Sequence, residues 1–207
     1  MNKFFNLISQ KPWESSQVEL DNIHNGRTLN LSREKLGVRA VMVVSTVIFS
    51  FFIVAYGDRM IIHDWKSMPE PWLLWINTAV LMVSSYIFHK TKKECDNNNF
   101  EKVKNGLFAV GFFTLLFLLG QTLVWFQFLK LGYYASSNVA NAFFYLLTAL
   151  HGLHLLGGLI FWGLVTSKFL KGKYKIPSMQ HSIELCAIYW HFLLFVWFVL
   201  FGLMLFT

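Results

Sequence analysis

Five long apolar windows dominate the chain, at about 38–57, 71–88, 107–129, 139–166 and 182–206, with short polar stretches between them. A bilayer core is crossed by ~20 apolar residues in a helix. The pattern therefore predicts an all-α membrane protein, a polytopic bundle of five transmembrane helices over residues 38–207. A polar arm, residues 1–37, precedes it. The arm lacks an uninterrupted apolar core and a small-residue cleavage pattern, so it reads as a cytoplasmic arm and not as a signal peptide.

At 55% hydrophobic and 14% charged, the 207 residues do not describe a soluble domain, and the loops leave no room for a second one. The net charge of +7 suggests a nucleic-acid partner until its placement is read. Lys and Arg crowd into the arm up to Arg39, into Lys90–Lys104 and into Lys168–Lys175. Only Arg59, Lys66 and Lys130 fall in the compartments between. That alternation is the positive-inside pattern, with the N-terminus in the cytoplasm and the C-terminus outside. The basic excess is a topology signal, and nucleic acid drops out as a partner.

Lys35 and Arg39 stand at the mouth of the first span, where long basic stems snorkel to headgroups. Pro69-Glu70-Pro71 turns the chain into the second span, and Trp72, Trp75, Trp125 and Tyr133-Tyr134 mark an outer aromatic belt. No internal repeat is visible, so the inverted-repeat signature of many transporters is missing. Cys95 lies in a loop and Cys186 inside the last span, which excludes a disulfide between them and, with no C-x-x-C pair, a zinc ribbon.

Candidate chemistry gathers on histidine. His191 lies in Tyr189-Trp190-His191-Phe192, deep in a window whose one acid is Glu184. An imidazole at that depth finds no water and must meet a partner on another helix. The fourth window offers His151 and His154 on one face, continued by Gly158, where a glycine lets a neighbouring helix approach. The expectation is a structural polar hub of His151, His154, Glu184 and His191, with no catalytic or metal-binding residue. Gln121 and Asn77 are expected to act as interhelical glue. A ferritin-like di-metal site would need about four Glu, which these windows lack. Bis-histidine haem ligation by His154 and His191 stays open as the alternative.

Taken together, these runs resemble subunit III of the haem-copper oxidases. The run from Phe143 to Gly158 is similar to the family's F-F-x-x-T-G-x-H-x-x-H-x-x-x-G pattern. Glu184, Tyr189-Trp190-His191-Phe192 and Trp197 are similar to its E-x₄-Y-W-H-F-x-D-x-x-W pattern, and Ile76-Asn77-Thr78 with Ser84-Ser85 to its second-span pattern. The likeness covers about residues 36–206, in the shorter five-helix bacterial form that lacks the family's first two helices. It implies a subunit of a respiratory terminal oxidase in the bacterial inner membrane, without haem or copper of its own. Such a subunit flanks the catalytic subunit I within a complex that includes subunit II. It binds phospholipid in an interhelical cleft, supports proton uptake and sustains turnover. An accessory subunit of a nitric oxide reductase looks similar, and a haem-carrying, cytochrome b-like anchor is the other alternative. The electron donor, cytochrome c or quinol, is left open.

Three departures bear on mechanism. Where the family's first retained span places an acid after Ser, this chain has Ser45-Thr46. Beside Trp125 it has Val124 in place of Glu, and after His191-Phe192 it has Leu194 in place of Asp. Thr46 can hydrogen-bond its own backbone one turn back and needs no outside partner. Fewer buried acids with the histidines kept suggest a scaffold more than a proton conduit. A reporter fused after Thr207 is expected to report the periplasm, and one within Lys90–Lys104 the cytoplasm. A cytoplasmic signal from the C-terminal fusion would overturn the five-span reading.

Overall fold

In the computed structural model, residues 33–63, 65–66, 69, 71–172 and 176–205 are described, and most of the expected N-terminal arm lies outside them. The described residues form five helices: α1 (Arg33–Met60), α2 (Trp72–Asp96), α3 (Phe100–Lys130), α4 (Val139–Leu170) and α5 (Ile176–Leu205). No strand occurs among the described residues. All five are long and apolar enough to cross a membrane. Residues 42–207 form one compact unit, and residues 33–41 of the other unit are the first turns of α1.

The helices outrun the apolar windows. α1 begins at Arg33, within the stretch expected as arm, and α2 continues through Lys90–Asp96 to within four residues of α3. Hydropathy marks where lipid begins, but Lys, Glu and Thr carry no strong bar to helix, so the backbone pattern continues past the membrane edge. The helices stop where local chemistry stops them. Asn98 takes the left-handed backbone, φ 58°, in the α2–α3 turn, a conformation Asn tolerates better than most residues. At the end of α3, Gly132 adopts φ 85°. Its N–H donates to the Leu129 carbonyl (3.2 Å) while the Tyr133 N–H donates to that of Phe128 (3.0 Å). The Phe128 and Tyr133 rings pack at 5.7 Å, completing a Schellman closure that reverses the chain with its last carbonyls satisfied.

α2 and α3 pair most extensively, and α5 packs against both α2 and α4. On α2 the buried residues Leu74, Asn77, Thr78, Leu81, Ser84, Ser85, Phe88, Thr91 and Cys95 recur every three or four positions. That is one helix face, and unusually it is half polar. α1 joins α4 and α5 through Phe49 and Tyr56, which cluster with Leu147, Val196 and Leu200.

Close helix approach depends on glycine at particular crossings. A Cβ on Gly111 of α3 would lie 2.5 Å from the Trp162 ring of α4, and one on Gly158 would lie 3.0 Å from the Tyr189 ring of α5. A Cβ on Gly120 would run into the Asn77 amide, whereas Gly157 has open space around it. We expect Gly111→Ala to destabilise the protein by ~1–3 kcal/mol through overpacking against a rigid indole. Gly157→Ala should be neutral or stabilising by ~0.5–1 kcal/mol. Thermal unfolding midpoints in detergent would check the pair, and equal midpoints for the two variants would contradict the assigned crossing.

Candidate functional site: a polar lattice joining four helices

Among the described residues, three indole–hydroxyl bonds cross between helices. Trp197 of α5 donates its N–H to the Thr78 hydroxyl of α2 (2.9 Å). Trp190 of α5 donates to Thr114 of α3 (3.2 Å), and Trp125 of α3 donates to Thr148 of α4 (3.0 Å). Each threonine also donates its own hydroxyl one turn back, Thr78 to the Leu74 carbonyl, Thr114 to Val110 and Thr148 to Phe144. An indole can only donate, while a hydroxyl has one hydrogen and two lone pairs. Spending the hydrogen on its own helix leaves the threonine ready to accept from the next. No side chain in such a pair needs water.

Amides and serines extend the lattice. The Asn77 amide N–H donates to the Gln121 carbonyl oxygen (3.2 Å), joining α2 to α3. Ser84 of α2 meets the Thr114 hydroxyl at 3.0 Å. Asn77, Ser84, Thr114 and Gln121 are all buried. The two residues expected as interhelical glue thus face each other.

The four hub candidates are given separate partners. His151 is fully buried, and its Nε2–H donates across to the Leu193 carbonyl of α5 (3.1 Å), with the Trp197 ring 4.9 Å away. A carbonyl only accepts, so the proton belongs on Nε2, and the buried Nδ1 has no hydrogen-bond partner among the described residues. His154 turns elsewhere: its Nδ1–H donates to the Leu150 carbonyl one turn back (2.8 Å), and its ring lies 5.2 Å from Phe49 of α1. His191 pairs with the Ser85 hydroxyl of α2 at 2.6 Å, with the His89 ring 6.0 Å away.

Glu184 is near the Lys-rich end, 3.9 Å from Lys92 and 3.9 Å from His181, about a third exposed. These residues line a polar recess with Asp96, Pro177 and Gln180. The single network expected from the sequence is therefore divided among α1, α2 and α5. Residues three apart on a helix point about 60° apart, enough to send His151 to α5 and His154 to α1. Gly158 does admit α5, as its contact with Tyr189 requires, and the Tyr189 hydroxyl donates to the His154 carbonyl (3.2 Å). Thr46 donates to the Met42 carbonyl one turn back (2.8 Å). Cys95 and Cys186 are buried free thiols.

The sequence matches known proteins along most of its length. The family model described as cytochrome c oxidase subunit III matches residues 35–207. This chain belongs to that family. It is 30% identical to cytochrome c oxidase subunit 3 of Synechocystis over 170 residues, covering 80% of this chain and 72% of the relative. It is 27% identical to the subunit 3 of Thermostichus vulcanus over 175 residues, 82% and 85% of the two chains. The ubiquinol oxidase subunit 3 of Buchnera aphidicola is 30% identical over 131 residues, 63% of this chain and 66% of that one. The subunit is thus a respiratory, haem-copper oxidase subunit III.

Sequence reasoning missed Thr114, Thr148 and the indole donors, and placed Trp125 in the outer aromatic belt. A signal was present in the stripe Asn77, Thr78, Ser84, Ser85, Thr91, whose helical spacing puts small polar groups on one face. Thr114 serves both Ser84 and Trp190. Replacing it with Val should cost ~1–3 kcal/mol, because the Trp190 N–H is left buried and unpaired. In a double-mutant cycle, Thr114→Val with Trp190→Phe should cost less than the two single changes added. Strict additivity would show that the pair does not interact.

Proposed function

We propose that this subunit is the non-catalytic subunit III of a bacterial terminal oxidase of the inner membrane. In this reading it packs directly against subunit I, beside subunit II and other chains of the complex. It stabilises the catalytic core and supports proton uptake and sustained turnover. Haem and copper belong to its partners. The observation that carries the reading is where the polar side chains go. The buried Asn77, Thr78, Ser84, Thr114, Gln121 and Thr148 are all engaged in helix-to-helix bonds, which is the chemistry of a scaffold.

Lipid is the second part of the proposal. Thr46, Phe49, Ser50 and Ile53 of α1 face Phe192, Phe195, Val196 and Leu200 of α5 across an apolar cavity of about 110 Å³. Its lining suits an acyl chain, for which it needs no charged contact. The haem-anchor alternative loses support from geometry. His154 turns toward α1 and His191 toward α2, so their imidazoles do not face one another as a bis-histidine pair would.

Deleting the subunit from the assembled oxidase is expected to leave the initial rate of oxygen reduction largely intact while shortening the time over which turnover is sustained. Oxygen-electrode traces of the purified complex with and without the subunit check this. Loss of the initial rate in a core that keeps its full set of haems would show instead that this chain carries chemistry.

A further inference from the structure

His191 and His89 are both exposed at the surface of the chain, on the seam where α5 meets α2. His191 lies one heptad beyond Glu184, about 10 Å deeper into the span than the Lys92–Glu184 pair. Around it Met82, Val83 and Tyr86 on α2 and Ile188 and Phe198 on α5 are exposed apolar side chains, with the His89 ring 6.0 Å away and the Lys90 ammonium over the Tyr86 ring. An imidazole edge is therefore turned outward at hydrocarbon depth.

The proton on that ring can be placed. The Ser85 side chain is 2% exposed and meets His191 Nδ1 at 2.6 Å. Among the described residues its hydroxyl has no other acceptor. The serine hydrogen would be stranded if Nδ1 were the donor, so Ser85 donates to Nδ1 and the imidazole carries its proton on Nε2. Nε2–H makes no hydrogen bond among the described residues. An acyl chain cannot accept it, and the headgroup level is about two helical turns away.

We infer that the α2–α5 seam is the face that docks a transmembrane helix of a neighbouring oxidase subunit, which presents a hydrogen-bond acceptor to His191 Nε2–H. A carboxylate, amide carbonyl or hydroxyl oxygen would serve. The flanking Tyr86, Ile188 and Phe198 supply the apolar contact, and the imidazole fixes depth and rotation. The inference rests on the oxidase-subunit reading and adds to it which face is covered and by what chemistry. Interhelical bonds of this kind contribute modestly, so the donor sets register more than raw affinity.

The test uses the assembled complex. A photo-activatable residue at Tyr86 or Phe198, positions that leave the Ser85–His191 bond intact, is expected to give an adduct with another membrane subunit. The same probe at Leu153 or Ile160, exposed on α4, is expected to give none. His191→Gln keeps a donor near the Nε2 position, whereas His191→Asn keeps only the Ser85 side. The fraction of subunit retained through detergent purification should stay near wild type for His191→Gln. It should fall about three- to tenfold for His191→Asn and His191→Leu. Adducts with lipid only, no protein adduct at Tyr86 and Phe198, or equal retention of all three variants would each overturn the inference while the wild-type chain still co-purifies with the oxidase. Failure of the wild-type chain to co-purify with any oxidase subunit would overturn the underlying reading as well.

Discussion

Hydrocarbon offers no hydrogen bonds, so a hydroxyl, amide or ring nitrogen within a span either pairs inside the protein or faces another protein. That constraint organises this subunit. The helix backbone satisfies itself, and the side chains follow a division of labour in which threonine donates along its own helix and accepts from an indole on the next. Packing against neighbours supplies the remaining attraction, because helices already surrounded by lipid gain little from burying apolar surface. The glycines at the α3–α4 and α4–α5 crossings belong to that packing: they leave room for the Trp162 and Tyr189 rings.

The spans were legible because hydropathy is a local property that runs of Phe, Leu and Val display directly. Helix ends were less so: Lys90–Asp96 is as helical as the apolar stretch before it, and only the left-handed Asn98 marks the stop. The polar pairs were legible one partner at a time. Asn77 and Gln121 stand out as amides in apolar windows, and their meeting is an economical guess. Thr114 and Trp190 are 76 residues apart, and nothing in either neighbourhood fixes the rotation that turns one helix toward the other. The histidines misled for the same reason. Sequence spacing put His151 and His154 on one face, but a face wide enough for both also borders two different helices.

The three acids that the family pattern leads one to expect are replaced here by residues that ask nothing of their surroundings. Thr46 satisfies itself on Met42, Val124 is fully buried, and Leu194 is apolar. Within the five apolar windows Glu184 is the one acid and Arg39 the one guanidinium, and the remaining polarity is hydroxyl, amide, indole and imidazole. The charged groups Lys92, Glu184 and Asp96 collect instead at the Lys-rich end, around a recess where water can reach them. The bundle is thus a neutral slab with a charged rim, suited to holding shape.

One consequence concerns the order in which the chain is made. Within about three turns, Tyr189 to Trp197, α5 is tied to α2, α3 and α4. It is also the last of the five helices to leave the ribosome. Until it arrives, Ser85 and His151 lack their α5 partners. α5 therefore acts as a keystone, locking the rotation of three helices made before it.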